Sequence, residues 1–284
     1  MSIPAEVIWY SPWAKEEHVL RYEFRRELDD RNLVRLYETM NDVRLLKERY
    51  NDGIARKFLE VGCATGDLYR YLRLALPHLT YSGIDVSEPA ARQARSKYPG
   101  VNFLVVQAGE PLQQVWQKAS GLSHAQIVYA ADVIHHQVKP FDFLRELITL
   151  SSEALIFRCR TRDVGPTQWD PARSRQAHYG GWVPYIVLNL EELIEEIRRL
   201  APACEVAVYR SHLILGGHYS RELPPACSVR ETGTSETSIG LFFKTEHRGR
   251  VTLRDRADNR PNTTWDHKWR SLRRRFLKVS CHAE

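Results

Sequence analysis

The sequence predicts an α/β protein: a doubly wound, mostly parallel sheet of seven strands, with helices ahead of it and a long insert after the fifth strand. Three observations carry that prediction. Short apolar runs alternate with segments of helical periodicity from residue 57 to residue 157, the order expected of repeated βα units. The first run, Phe58, Leu59 and Val61, is bulky and broken only by Glu60, as expected of a strand covered on both faces. It then opens into Gly62 and Gly66 before helical spacing begins at Asp67, a turn that lets backbone approach a ligand at a helix N-terminus.

Ahead of the sheet, Ser11-Pro12 supplies an N-cap and an N1 proline to a helix with Trp13, Leu20, Phe24 and Leu28 at helical spacing. Leu33, Leu36, Tyr37, Met40, Leu45 and Leu46 share one face of a second helix, which Asn51-Asp52-Gly53 stops. After the glycine turn, Leu68 to Leu76 is helical and Pro77 ends it. Thr80 to Ile84 reads as a strand closed by Asp85, and Ser87-Glu88-Pro89 caps a helix running to about Tyr98. Val101 to Val106 is a strand, Pro111 to Ala119 a helix, Ala125 to Ala130 a strand, Pro140 to Leu150 a helix and Ala154 to Phe157 the fifth strand.

The insert at residues 159–185 holds Trp169, His178, Tyr179, Trp182 and Tyr185 among Gly, Pro and Arg; loops of this length are usually functional. Asn189 then caps a helix over Glu191 to Leu200. Val206 and Val208 mark a sixth strand, and Ile239 to Phe243 a seventh. The chain thus divides into a helical cap at 1–53, a sheet domain at 54–246 that includes the insert, and a basic extension at 247–284.

Composition narrows the chemistry. The five cysteines of the 284 residues are scattered and never in a C-x-x-C pair, so neither a disulfide framework nor a metal centre is indicated. No apolar run approaches the roughly 20 residues that cross a bilayer, and MSIPAEVIWY lacks the basic-then-apolar order of a signal peptide; a cytoplasmic location is expected. The net charge of +6 is a C-terminal property: 12 of 41 Lys/Arg but only 5 of 35 Asp/Glu lie in residues 244–284. Trp265, Trp269, Leu272 and Phe276 form a stripe there among arginines, a helix that could meet an anionic partner such as RNA or simply pack on the parent domain.

Asp85 lies 25 residues beyond Glu60, at the end of the next strand, where a carboxylate can accept hydrogen bonds from both hydroxyls of a ribose. The turn lacks the G-x-G-x-x-G spacing of a dinucleotide site. Four segments at successive strand ends carry a fuller pattern: E-V-G-C-x-T-G, G-I-D-V-S, V-N-F-x-x-x-Q-A and A-D-V-I-H-H. Together, over roughly Ala55 to Phe157, they resemble the class I S-adenosylmethionine-dependent methyltransferases, which implies a Rossmann-like fold and S-adenosylmethionine as cofactor. By that resemblance Gly62, Cys63, Ala64 and Gly66 pass the methionine and sugar, with Glu60 organising the turn or the amino group. Asp85 holds the ribose, Val86 lies against the adenine, Gln107 followed by Ala108 stands where an aspartate commonly meets the adenine amine, and Ala130 lines the floor.

Methyl transfer to a positioned acceptor needs near-attack geometry and, for a hydroxyl, removal of a proton. Asp132, His135 and His136 follow the fourth strand, with His135 preferred as base and His178 a second candidate. Trp9, Trp13, Trp169, Tyr179, Trp182 and Tyr185 are candidates to enclose the acceptor. The reading is methyl transfer to an oxygen or nitrogen of a small or medium-sized molecule. Its rivals are an RNA- or protein-directed methyltransferase that uses the basic extension, and a non-catalytic module that only binds the cofactor.

Overall fold

The computed structural model describes residues 12, 13, 15, 16, 19, 28–107, 109–170, 174–178, 181–211 and 234–255. Most of the first predicted helix, residues 212–233, and the aromatic-basic stripe of 265–276 lie outside the described residues.

Helices α1 (Asp30–Glu38) and α2 (Asn41–Tyr50) precede β1 (Arg56–Val61), α3 (Asp67–Ala75), β2 (Leu79–Asp85), α4 (Glu88–Lys97), β3 (Asn102–Val105), α5 (Leu112–Ser120) and β4 (Ala125–Ala131). A short 3-10 turn (Ile134–His136) leads to α6 (Pro140–Leu150) and β5 (Ser151–Arg162). There follow the hairpin β6 (Arg175–His178) and β7 (Gly181–Pro184), then β8 (Leu188–Asn189), α7 (Leu190–Leu200), β9 (Glu205–Ser211), β10 (Thr234–Phe242) and β11 (Val251–Asp255). Local chemistry sets several boundaries. Ser87 accepts from Ala90 N–H at 3.3 Å to start α4, and Asn189 accepts from Glu192 N–H at 3.0 Å to start α7.

The sheet is doubly wound, in the order β11-β9-β10-β5-β4-β1-β2-β3, with β8 paired to β5. All neighbours from β3 to β5 are parallel; β10 runs antiparallel to both β5 and β9. Because β1 sits between β2 and β4, successive crossovers leave it in opposite directions, and the loops after β1 and β4 part to form a crevice. Alternation along each strand fills two cores. Leu59, Val128, Leu155 and Phe157 pack on the face with Trp116 of α5, Leu144 and Leu147 of α6 and Leu193 of α7. Phe58, Ile127, Tyr129 and Ile156 face Tyr37 of α1, Leu46 of α2 and Tyr71 and Leu72 of α3. Each fully buried side chain of this size contributes roughly 1.5–3 kcal/mol.

Three details differ from the sequence expectation. The stripe from Leu33 to Leu46 belongs to two helices, because Thr39 folds back to donate both its N–H and its hydroxyl to Leu36 O while Met40 turns extended. Among the described residues the sheet has nine strands: VTLRD at 251–255 adds a strand parallel to β9, and β8 pairs with β5. β5 itself runs eight residues ahead of and beyond the short apolar run that marks it, to twelve in all, since β10 satisfies its polar C-terminal half. The insert is tied internally by Tyr185 N–H donating to Ser174 O at 2.8 Å, and just past its end Ile186 N–H donates to His135 O at 2.8 Å.

Candidate active site

The carboxyl ends of β1, β2, β3 and β4 open onto one cavity of ≈ 510 Å³, in the range of small-molecule sites. At the β1 end, Gly62 (φ 80°) donates to Ile84 O at 2.8 Å, and Gly66 (φ 77°) to Cys63 O at 2.9 Å. A Cβ on Gly62 would lie 2.4 Å from Val133 Cγ2, and one on Gly66 2.8 Å from the Phe103 ring. Both positions therefore need glycine for conformation and for space. Between them Ala64 takes φ 46°, a left-handed geometry that costs a non-glycine residue of order 1–3 kcal/mol. Its N–H is thereby aimed at Asp85 Oδ2, 2.7 Å away.

Asp85, 7% exposed, receives Ser87 N–H on its other oxygen at 2.8 Å. Burial pushes its pKa up, and the backbone donors at Ser87, Ala64 and Val86 pull against that rise. Among the described residues no ammonium or guanidinium forms an ion pair with it, so its charge is balanced by peptide dipoles alone. Glu60, also buried, accepts a short hydrogen bond from the Tyr81 hydroxyl. Cys63 is buried beside both acids; desolvation first, then Asp85 and Glu60, raise its pKa well above the thiol range. It is a small turn residue with no thiolate to offer.

A different construction stands at the β4 end. Asp132 takes φ 60° and carries two arginines from β5. Arg158 donates to Asp132 Oδ2 through Nη2 at 2.6 Å and through Nε at 3.2 Å, while Arg160 Nη1 lies 3.5 Å from Oδ1. Arg158 Nη1 also donates to Asp42 of α2 at 3.1 Å, and the Tyr129 hydroxyl donates to the other Asp42 oxygen. Arg160 continues the chain to Glu236 at 2.6 Å and to the Tyr185 hydroxyl at 3.2 Å. Burial works against the Asp132 charge, but Arg158 and Arg160 outweigh it and hold the carboxyl well below its usual range.

The cavity is lined by Trp13, Glu60, Gly62, Cys63, Ala64, Asp85, Val86, Gln107, Asp132 and His136 of the sequence candidates. Gly66 and Ala130 do not line it; Gly66 closes the turn, and Ala130 is wholly buried on the opposite face of the sheet from the neighbouring Ala131, which does line it. His135 is 1% exposed and stands behind His136, ring centroids 4.2 Å apart. Its Nδ1 is buried without a partner, and burial, followed by His136, drives its pKa well below the imidazole range. His136 faces the cavity, donating from Nδ1 to Pro184 O at 2.7 Å, a bond that leaves the ring lone pair on Nε2. The Trp13 ring meets it edge-on at 4.9 Å.

Of the insert residues, Tyr185 is buried against both histidines, and Trp169 is 43% exposed against Phe141, away from the cavity. Trp9, Ala108, Tyr179 and the side chains of His178 and Trp182 lie outside the described residues. The sequence reading missed Tyr37, Met40, Tyr129 and Arg158, all of which line the cavity. Periodicity marks Tyr37, Met40 and Tyr129 as core, nothing local distinguishes a core face from a cavity wall, and Arg158 stands just past the predicted end of the fifth strand. Among the described residues no cluster of His, Cys, Asp or Glu could hold a metal ion, and no helix is long and apolar enough to cross a membrane.

The lining suits a cationic nucleoside. Among the described residues, six carboxylates (Glu60, Asp67, Asp85, Glu110, Asp132 and Glu146) face it against the single guanidinium of Arg158. Residues 59–152 match a family model described as "Methyltransferase domain". No curated protein matches. Among solved structures, Haemonchus contortus phosphoethanolamine N-methyltransferase 2, in complex with S-adenosyl-L-methionine, is similar at TM-score 0.50 and 13% identity, over 84% of this chain and 61% of its own. The plantazolicin methyltransferase BamL, in complex with a triazolic desmethylPZN analog and SAH, is similar at 0.48 and 16%, over 83% and 93%. The [4+2]-cyclase SpnF is similar at 0.47 and 15%, over 77% and 82%. The chain spans 39% of the length of EvdMO1. At such identities the likeness is one of fold. The match over residues 59–152, standing on a doubly wound sheet, shows that this segment is similar to a methyltransferase domain.

Proposed function

We propose that the protein transfers a methyl group from S-adenosylmethionine to an oxygen or nitrogen of a small or medium-sized molecule. The observation that carries this reading is the shared cavity: the glycine turn with Glu60 and Asp85, and the pair Asp132 and His136, face the same enclosed space. Gly62, Cys63, Ala64 and Glu60 would hold the methionine part, Asp85 the ribose, and Val86 the flat base. The bound cofactor supplies the methyl group. The chain's own part is to bring an acceptor within near-attack distance and to exclude water.

The acceptor wall favours a neutral or cationic molecule. Among the described lining residues Arg158 is the one guanidinium, and Asp42 and Asp132 already engage it, which disfavours an anionic group there. Asp132 can instead accept from an acceptor N–H or O–H and so orient the acceptor atom toward the methyl group. His136 Nε2 takes the proton that a hydroxyl or ammonium must lose. Arg158 positions Asp132 directly, and Tyr129 does so through Asp42.

The test is incubation of the full-length protein with methyl-labelled S-adenosylmethionine and a small-molecule extract, followed by mass spectrometry. Label in small molecules, lost in His136→Ala and Asp132→Asn, is the expected result. Label in RNA or protein alone would replace this reading with the macromolecular one. Cofactor binding without label in any fraction would leave a binding module.

A further inference from the structure

One part of the cavity is formed by the loops after β2 and β3 together with helices α5 and α6. Val86 after β2, Val106 at the end of β3, Leu112 of α5 and Phe143 of α6 make its walls apolar, and Gln107 and Glu146 are the polar side chains set among them. Apolar walls with a fixed carboxylate suit a flat heterocycle whose edge carries a hydrogen-bond donor.

Glu146 is fixed in an unusual way. Pro111 occupies the N-cap position of α5 and offers no side-chain acceptor, so the first helical N–H, that of Leu112, turns to Glu146 Oε1 of α6 at 2.5 Å, 34 residues on. One carboxylate oxygen is thereby pinned to the helix start. The other, Oε2, has no hydrogen bond or ion pair among the described residues. Glu110 is committed elsewhere, pairing with Lys118 at 3.1 Å and accepting from Gln107 N–H at 3.3 Å, while the Gln107 side chain, which also lines the cavity, is exposed.

We infer that Glu146 reads the exocyclic amine of the cofactor's adenine and so sets the base specificity of the site; this rests on the S-adenosylmethionine reading above. Asp85 holds the ribose at the mouth of the slot, and the attached base passes Val86 toward α6. There Oε2 accepts an amine N–H. A base with a carbonyl at that position would set two acceptors against each other with no proton between them, and a site built for a donor rejects such an analogue strongly.

The test is calorimetric titration of the full-length protein with S-adenosylhomocysteine and with its deaminated analogue S-inosylhomocysteine. Wild type should prefer the adenosyl compound at least tenfold. Glu146→Gln keeps an oxygen for Leu112 N–H and brings an amide that can donate to a carbonyl; its preference should fall to within about threefold of parity, with the melting temperature held. Gln107→Ala should leave the wild-type ratio in place. The inference is overturned if wild type shows no preference, if Glu146→Gln keeps it, or if Gln107→Ala abolishes it. If wild type binds neither compound, the cofactor reading falls and takes the inference with it.

Discussion

At one end of the cavity Asp85 is held by the N–H groups of Ala64 and Ser87; at the other, Asp132 is held by the guanidiniums of Arg158 and Arg160. Both are aspartates at the carboxyl ends of parallel strands, yet burial raises the pKa of the first, and the arginines depress that of the second despite burial. Peptide dipoles orient a carboxylate without cancelling its charge, so Asp85 remains able to engage hydroxyls or a cation. Guanidiniums orient and neutralise together, so Asp132 offers shape and a hydrogen-bond acceptor with little net field. The two ends thus divide the labour: one attracts, the other positions.

The hardest blow to this contrast is Arg158→Met. It leaves Asp42 and Asp132 facing each other's surroundings without their common cation, and loss of one partner of a buried pair costs about 3–5 kcal/mol. Urea unfolding should show that loss, and Asp42→Asn combined with Arg158→Met should recover part of it; a stability change below about 1 kcal/mol would mean that the network is not a structural brace. Asp85→Asn probes the opposite end. It keeps the volume but removes the charge, and should weaken S-adenosylmethionine about 10- to 100-fold by calorimetry with little change in unfolding. Equal loss of affinity from Arg158→Met would erase the distinction between the ends.

His135 gives a smaller effect with a definite sign. Its folded pKa is depressed by burial, so below about pH 6.5 the unfolded chain binds a proton that the folded chain refuses. Stability should therefore fall as pH drops from about 6.5 toward 5, by up to about 1.4 kcal/mol per pH unit. His135→Gln should flatten that slope; an unchanged slope would assign it to other groups. The smallest effect belongs to Trp169→Ala. Its ring contact with Phe141 is worth at most about 1.5 kcal/mol, and cofactor affinity should not move, because the residue lies off the cavity.

The same contrast explains what was legible in the sequence. The Asp85 end is written locally: two glycines, a strand-end acid and a serine cap lie within a few residues of the structures they set, and the strands β1 to β5 announce themselves by alternation with helices. The Asp132 end is written across the chain. Asp42 meets Tyr129 over 87 residues and Arg158 over 116, and no spacing rule connects such positions. His135 drew attention over His136 because adjacent histidines look alike until the 3-10 turn sends one inward and one to the cavity. Likewise VTLRD reads as a charged tail, and only its pairing with Val206–Arg210 of β9 makes it a strand.

The tie between Asp42 and Arg158 also sets an order in time. On a ribosome adding about 5–20 residues each second, the 116 residues between them take roughly 6–23 s to appear. During that interval helix α2 has no cation to meet at the place where it will dock, and burying Asp42 early would strand its charge. The hypothesis that follows is that the N-terminal helices settle last although they are made first. Pulse-labelled chains arrested before Ser151 should stay open to protease at residues 30–50, and chains arrested beyond β10 should be protected there; early protection would refute the sequence of events.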